Sequence, residues 1–100
     1  MGQVRWTEKA SRNLEDIFNY VAKTSAIYAD RLVKSIISST SKLATMPLCG
    51  RMVPELKDHD IRELIYQNYR IVYRVIGETG EVEILAIIHG ARDFLGAYRE

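Results

Sequence analysis

Seven residues with chemistry beyond packing gather in the second half of the chain: Glu55, Arg62, Glu63, Arg70, Arg74, His89 and Arg92. Guanidinium groups offer forked N–H donors that match the oxygens of a phosphate or carboxylate. Histidine can give or take a proton near neutral pH. Gly90 follows His89 directly, a place where backbone can come close to a ligand. Tyr66, Tyr69, Tyr73 and Tyr98 add phenols to the same region. The residue types therefore point to an Arg/His/Tyr anion site. They also have a purely structural reading, in which Arg70 and Arg74 pair with Glu63 and Glu83 across neighbouring strands, Arg92 pairs with Asp93 or Glu100, and His89 hydrogen-bonds a neighbour.

Other chemistries lack their signatures. There is no phosphate-cradling glycine loop, no Gly-x-Ser-x-Gly elbow and no His-Glu zinc motif. The lone Cys49 cannot close an internal disulfide, and no Cys/His cluster has metal-ligand spacing, so neither cofactor nor metal is expected. The formal charge is only +1. Residues 1–50 carry seven Lys/Arg against four Asp/Glu, and residues 51–100 carry seven against nine. That distribution speaks against a broad nucleic-acid-binding face, whose affinity comes from many neutralised phosphates. A small, focused phosphate site stays open.

The elements that must position these groups are legible from periodicity. Tyr69 to Ile76 is rich in β-branched and aromatic residues and reads as the central strand. With period 2, Tyr69, Ile71, Tyr73 and Val75 point one way, and Arg70, Val72, Arg74 and Ile76 the other. Ile61 to Tyr66 and Glu81 to His89 read as its neighbours, joined by turns at Gln67-Asn68 and Gly77 to Gly80, which makes an antiparallel meander. Upstream, Gln3 to Trp6 reads as a short strand. Thr7 is an N-cap for a helix over about residues 8–23 with Ala10, Leu14, Ile17, Phe18 and Val21 on its apolar stripe. Ser25 caps a second helix whose stripe runs through Leu32, Val33, Ile36, Ile37, Leu43 and Ala44 to Met46, before Pro47 blocks it. Pro47, Gly50 and Pro54 mark a loop, and the tail from Ala91 to Glu100 is either a helical turn or an edge segment.

The expected fold class is α+β: one domain over residues 1–100, with two N-terminal antiparallel helices packed on a small antiparallel sheet in the order β-α-α-β-β-β. One core should hold Leu14, Ile17, Val21, Leu32, Ile36, Leu43, Ile71, Tyr73, Ile84 and Ala86. No apolar run approaches the roughly 18 residues of a membrane span, so a cytoplasmic protein with no membrane partner is the default reading.

Several pieces occur together in one order: a strand opening into Trp6-Thr7, a helix pair ending Leu43-Ala-Thr-Met-Pro47, then Gly50-Arg-Met-Val-Pro-Glu55, Arg62-Glu-Leu, Tyr69-Arg-Ile-Val-Tyr-Arg74 and Ile88-His-Gly-Ala-Arg-Asp93. The ordered set resembles the RelE/ParE superfamily of bacterial toxins over nearly the whole chain. The resemblance implies the toxin of a type II toxin-antitoxin module, with a cognate antitoxin protein that wraps it. RelE-like members cut messenger RNA in the ribosomal A site, and ParE-like members poison DNA gyrase.

The RelE-like reading, ribosome-dependent mRNA cleavage, is the expected one; its partners are the ribosome and mRNA, and the resemblance gives the site residues their roles. Arg70 and Arg92 would supply cations for a phosphorane, His89 or Tyr98 the acid for the leaving 5′-oxygen, and Glu55 or Glu63 the base, with Arg62 a weaker correspondence and no metal required. The alternative is the ParE-like reading with DNA gyrase as partner. The lysine pair of RelE-like toxins before the central strand is missing, and the long helical hairpin and the His-Gly-Ala-Arg-Asp ending also look ParE-like. A third reading is a non-catalytic protein-binding module.

Overall fold

The computed structural model describes residues 2–100. Strand β1 (Val4–Trp6) leads into helix α1 (Glu8–Ala22), whose first turn is closed by Thr7, the side chain accepting from the Ala10 N–H at 3.0 Å. Ser25 does the same for helix α2 (Ala26–Ser41), accepting from the Tyr28 N–H at 3.1 Å. Both caps satisfy donors that the first helical turn leaves free. The connector between the helices is short, which folds them back as an antiparallel pair.

Helix α2 stops earlier than its apolar stripe suggests. The hydroxyls of Ser39, Thr40 and Ser41 donate to the carbonyls of Ile36, Ile37 and Ser38, each at 2.7 Å. Such back-bonding competes with the regular helical ladder. The chain tightens into a 3-10 turn, Lys42–Ala44, that still buries Leu43.

Strands β2 (Arg51–Met52), β3 (Ile61–Tyr66), β4 (Tyr69–Ile76) and β5 (Glu81–His89) join β1 in one five-stranded sheet of order β1-β5-β4-β3-β2. The meander β3-β4-β5 is antiparallel as expected. Two features depart from the expected small antiparallel sheet. Strand β1 pairs parallel to β5, so the sheet is mixed, and β2, inside the expected loop, adds an antiparallel edge through Arg51↔Glu63 and Met52↔Arg62. A two-residue strand is too short to leave a period in the sequence.

A bulge separates the two faces of the sheet. Tyr73 pairs with Ile84 and Val72 with Ala86, so Leu85 is the extra residue on β5. One inserted residue reverses which side the following side chains face. Ile84 therefore points to the helices, beside Leu14, Leu32, Ile36, Leu43, Ile71 and Tyr73, whereas Ala86 joins Val53, Ile61, Val72, Ile88, Phe94 and Ala97 in a second cluster on the far side. The expected single core containing both Ile84 and Ala86 is thus two cores, one per face. Ile17 and Val21 are only partly buried against the helix-side core. Where the bulge interrupts the ladder, α1 supplies partners: the Asn13 side chain accepts from the Ile87 N–H at 3.0 Å, and the Thr7 hydroxyl donates to the Leu85 carbonyl at 3.3 Å.

The tail resolves into helix α3 (Phe94–Tyr98), capped by Asp93, whose carboxylate accepts from the Gly96 N–H at 3.0 Å. Lys9 of α1 donates to the Ala97 and Glu100 carbonyls at 2.9 and 2.8 Å and ties the end of α3 to the body. Phe94 and Ala97 then cover the far-side core.

Ile36 is fully buried, whereas its neighbour Ile37 is 45% exposed. Ile36→Ala should lower unfolding free energy by about 2–5 kcal/mol, and Ile37→Ala by less than about 0.5 kcal/mol. Urea denaturation of both variants measures the difference; equal losses would mean that the face of α2 is wrongly placed.

Candidate functional site

The far face of the sheet carries an ion network built around Glu63. This carboxylate sits on β3 with no exposed side-chain surface. A buried charge is tolerated only with strong partners. Glu63 has two. Arg51 Nε donates to one of its oxygens at 2.7 Å, and Arg70 donates to both, Nε at 2.7 Å and Nη2 at 3.2 Å. Strand pairing sets this up, because Arg51 lies opposite Glu63 in the β2-β3 ladder and Arg70 projects from β4 on the same face.

Arg70 is held on further sides. Its Nη1 and Nη2 donate to the two oxygens of Glu55 at 3.0 and 2.7 Å, a bidentate fork. Its guanidinium lies over the Phe94 ring, 4.2 Å from the centroid, a cation–π contact supplied by α3. The hydrogen bonds from Arg70 hold the Glu55 carboxyl below its ordinary value, against an opposing effect of burial. The same bonds make the Arg70 proton harder to remove, Glu55 contributing most. Two guanidinium groups and two carboxylates cancel within the cluster.

The remaining candidate residues divide between places. His89 pairs with Tyr69 across the β4-β5 ladder, with the rings edge to face at 5.3 Å. Its Nδ1 accepts from the Ala91 N–H at 3.0 Å, so the neutral ring carries its proton on Nε2. This is the structural role open to a strand-end histidine. Gly90 does allow a close backbone approach, but to the chain's own Asn68, whose carbonyl accepts from the Gly90 N–H at 2.6 Å. Arg92 donates to Glu100 at 2.9 Å on the surface. Tyr98 stacks on Phe94, with ring centroids 5.5 Å apart. Arg62 projects to the helix side with Leu64 and Tyr66, opposite Arg70; its Nη1 donates to the Gly50 carbonyl at 3.0 Å and its buried Nε has no partner among the described residues. Arg74 is exposed, and Glu83, its neighbour in the ladder, lies 4.0 Å from Arg5.

Two clefts meet at the end of the sheet. One, of about 540 Å³, is lined by Ile65, Gln67, Asn68, Tyr69, Arg70, His89 and Gly90. The other, about 510 Å³, lies between α1 and the ends of β4 and β5, and includes Asp16, Tyr20, Tyr69, His89 and Arg92. Burial pushes the Tyr69 phenol above its ordinary value. The first cleft brings Arg70 and His89 together; the second brings His89 and Arg92 together. Arg51 and Phe94 complete the site without having been singled out by residue pattern. Only the register Arg51↔Glu63 could have found the first, and β2 is too short to be read.

Arg70→Ala would leave buried Glu63 with Arg51 alone. Unfolding free energy should fall by about 3 kcal/mol, the lower end for breaking a buried pair. A near-neutral result would show that Arg51 suffices. Glu55 has a folded-state pKa below its ordinary 4.5, so its contribution is present above that value and is lost as pH falls through the depressed value. The stability gap between the parent chain and Glu55→Gln, followed by denaturant titration, should shrink on going from pH 6 to pH 3. A gap independent of pH would contradict the Arg70–Glu55 pairing.

Comparison with known proteins places this arrangement. The family model described as the ParE toxin of the type II toxin-antitoxin system, parDE, matches residues 4–94. Among curated relatives, "Putative toxin Y4kP" of Sinorhizobium fredii is 34% identical over 89 residues, covering 87% of this chain and 86% of its own. "Toxin RelE2" of Caulobacter vibrioides is 29% identical over 92 residues, covering 92% and 99%. The solved structure of the chromosomal ParDE toxin-antitoxin system from P. aeruginosa superposes with a TM-score of 0.73 at 26% identity, covering 89% of this chain and 96% of that one. The toxin-antitoxin complex RelBE2 from Mycobacterium tuberculosis shares the fold, with a TM-score of 0.66 at 22% identity over 91% and 93% of the two chains. The chain therefore belongs to the ParE toxin family of type II toxin-antitoxin systems.

Proposed function

We infer that this toxin arrests growth in the ParE-like manner, by binding and inhibiting DNA gyrase, and that a cognate antitoxin protein neutralises it. The observation that carries this reading is the state of Arg70. Phosphorane stabilisation needs oriented donors aimed at charge that develops in the transition state. Here Nε, Nη1 and Nη2 of Arg70 each already donate to Glu55 or Glu63. The family match to ParE toxins and the likeness to a ParDE system support the same side of the superfamily.

Antitoxin binding is supported by surfaces that lack a partner among the described residues. An apolar groove of about 630 Å³ runs beside the two helices, lined in part by Trp6, Leu14, Phe18, Val33 and Ile37. Strands β1 and β2 leave the sheet with two open edges, where an extended segment can add main-chain hydrogen bonds. Tyr20, Ile27 and Tyr28 are exposed near the turn between α1 and α2, and exposed aromatic residues commonly anchor protein interfaces.

RelE-like cleavage of mRNA on the ribosome is the second reading, favoured by the cleft that Arg70 and His89 share. In that chemistry Arg70 and Arg92 would act as cations, His89 or Tyr98 as acid and Glu55 or Glu63 as base, with Arg62 outside the site on the opposite face of the sheet.

A supercoiling assay with purified gyrase, run beside primer extension on mRNA from expressing cells, separates the readings. The expected outcome is inhibited supercoiling or trapped cleaved DNA with intact transcripts. Ribosome-dependent cuts that disappear in Arg92→Ala, with supercoiling untouched, would overturn the gyrase reading. Normal growth at verified expression of folded chain would leave only a binding module.

A further inference from the structure

The cleft of about 510 Å³ between α1 and the ends of β4 and β5 holds an unpaired carboxylate together with two tyrosine rings. We propose that it receives an arginine side chain of the target protein, with Asp16 as the anion and Tyr20 and Tyr69 as the rings beside it. The identity of the target rests on the gyrase reading; the arginine seat does not.

Helix geometry puts the acid and one ring together. Asp16 and Tyr20 are one turn apart on the same face of α1, and both are exposed. Tyr69 comes to the cleft from the first residue of β4, its ring held edge to face against His89. Asp16 forms no ion pair among the described residues. Arg12, one turn back on the helix, pairs with Glu8 instead. The basic groups in the cleft add no uncompensated charge. Arg92 is bound to Glu100, and His89 accepts a hydrogen bond on Nδ1, which a doubly protonated ring cannot do. An incoming cation therefore meets a free carboxylate.

The ring beside Asp16 already shows what it attracts. The Lys23 ammonium lies over Tyr20, 5.6 Å from the centroid, in an adjoining cleft of about 380 Å³ that Tyr20 also lines. That distance is within the reach of cation–π attraction. A guanidinium suits the larger cleft better than an ammonium, because it is flat enough to lie along a ring while its fork donates to a carboxylate. The seat is also separate from the apolar groove. Leu14 and Phe18 line the groove, and Asp16 and Tyr20, two residues further on in each case, point about 200° away from them around α1. A segment lying in the groove leaves the seat open, and one that continues over the hairpin tip to Tyr20 closes it. Proteins that hold DNA present Arg and Lys where the phosphates lie, so on the gyrase reading the target carries the complementary charge.

The test is NMR titration of the folded chain with a capped Gly-Arg-Gly peptide, following the ring signals of Tyr20 and Tyr69, beside the same peptide with citrulline, which keeps the shape and loses the charge. The arginine peptide should shift both rings and bind at least about fivefold more tightly, because the citrulline peptide lacks both the ion pair and the cation–π contact. Asp16→Asn should weaken binding of the arginine peptide about three- to fivefold, the upper part of the range for an exposed ion pair. Glu78→Gln makes the same change in net charge on an exposed turn at the other end of β4, and should bind like the parent. Equal binding of the two peptides, or equal effects of Asp16→Asn and Glu78→Gln, overturns the seat. In the supercoiling assay, half inhibition should need about three- to fivefold more of the folded Asp16→Asn chain than of the parent. Unchanged inhibition by Asp16→Asn overturns the assignment to the target. A parent chain that leaves supercoiling untouched refutes the gyrase reading instead, and the peptide titration still decides the seat.

Discussion

A carboxylate with no solvent contact in the middle of a small sheet constrains everything around it. Glu63 cannot remain ionised there without cations at hydrogen-bonding distance, and its two partners come from the strands on either side of β3. The requirement thus links β2, β3 and β4 through side chains as well as through the ladder. It extends further, because Arg70, once fixed, presents its flat face to Phe94 of α3 and its outer edge to Glu55 of the loop. Replacing Arg51 or Arg70 without Glu63 leaves a desolvated carboxylate short of a partner. The network is therefore a unit whose parts are specified together.

The second constraint is the bulge at Leu85. A regular β5 would carry Ile84, Ala86 and Ile88 on one face and leave the other to Leu85 and Ile87. With the extra residue, Val82, Ile84 and Ile87 serve the helix-side core, and Ala86 and Ile88 the far side. Both halves of β5 are then useful on both faces. The far-side cluster gives α3 an apolar seat, and that seat brings Phe94 beneath Arg70. On the other face, Tyr73 is fully buried; its hydroxyl accepts from the Gly50 N–H at 2.9 Å and donates to the Pro47 carbonyl at 2.8 Å. A Cβ at Gly50 would lie 2.6 Å from that oxygen and from the Glu63 carbonyl. The loop thus enters β2 on a path that only glycine permits, and Arg51 follows immediately.

What the sequence made legible follows from the length of each signal. Helices α1 and α2 each span several turns and carry a cap, so Thr7, Ser25 and the stripes through Leu14 and Ile36 are readable. The meander is readable because alternation in β4 is clean and turn residues flank it. The face assignment of Arg70 and Val72 against Ile71 and Tyr73 holds for the same reason. Ile84-Leu85-Ala86-Ile87-Ile88 is apolar throughout, and such a run hides an inserted residue, which is why Ala86 goes to the wrong core. Strand β2 has two residues and no period. Asp93 was readable only as part of an ambiguous tail, although Asp-x-x-Gly beside Phe94 and Ala97 is the pattern of a short capped helix. In the site, the Arg70–Glu63 pair followed from neighbouring strands. The Arg70–Glu55 fork did not, because it depends on how an irregular loop returns to the sheet.

These same charges bear on what the toxin can recognise. Attraction to a polyanion grows with the number of phosphates neutralised, and it is felt at a distance only where like charges accumulate. The chain carries +1 overall, its central guanidinium groups are matched by carboxylates, and Arg92 is paired with Glu100. Long-range steering onto RNA is correspondingly weak. What the surface offers instead are apolar side chains at the helical hairpin, a groove beside it and two free sheet edges. Such features recognise proteins through buried area and main-chain pairing. A target that is itself a protein, and an antitoxin that covers apolar faces, both suit a molecule whose central cations, Arg51 and Arg70, are held by Glu63 and Glu55.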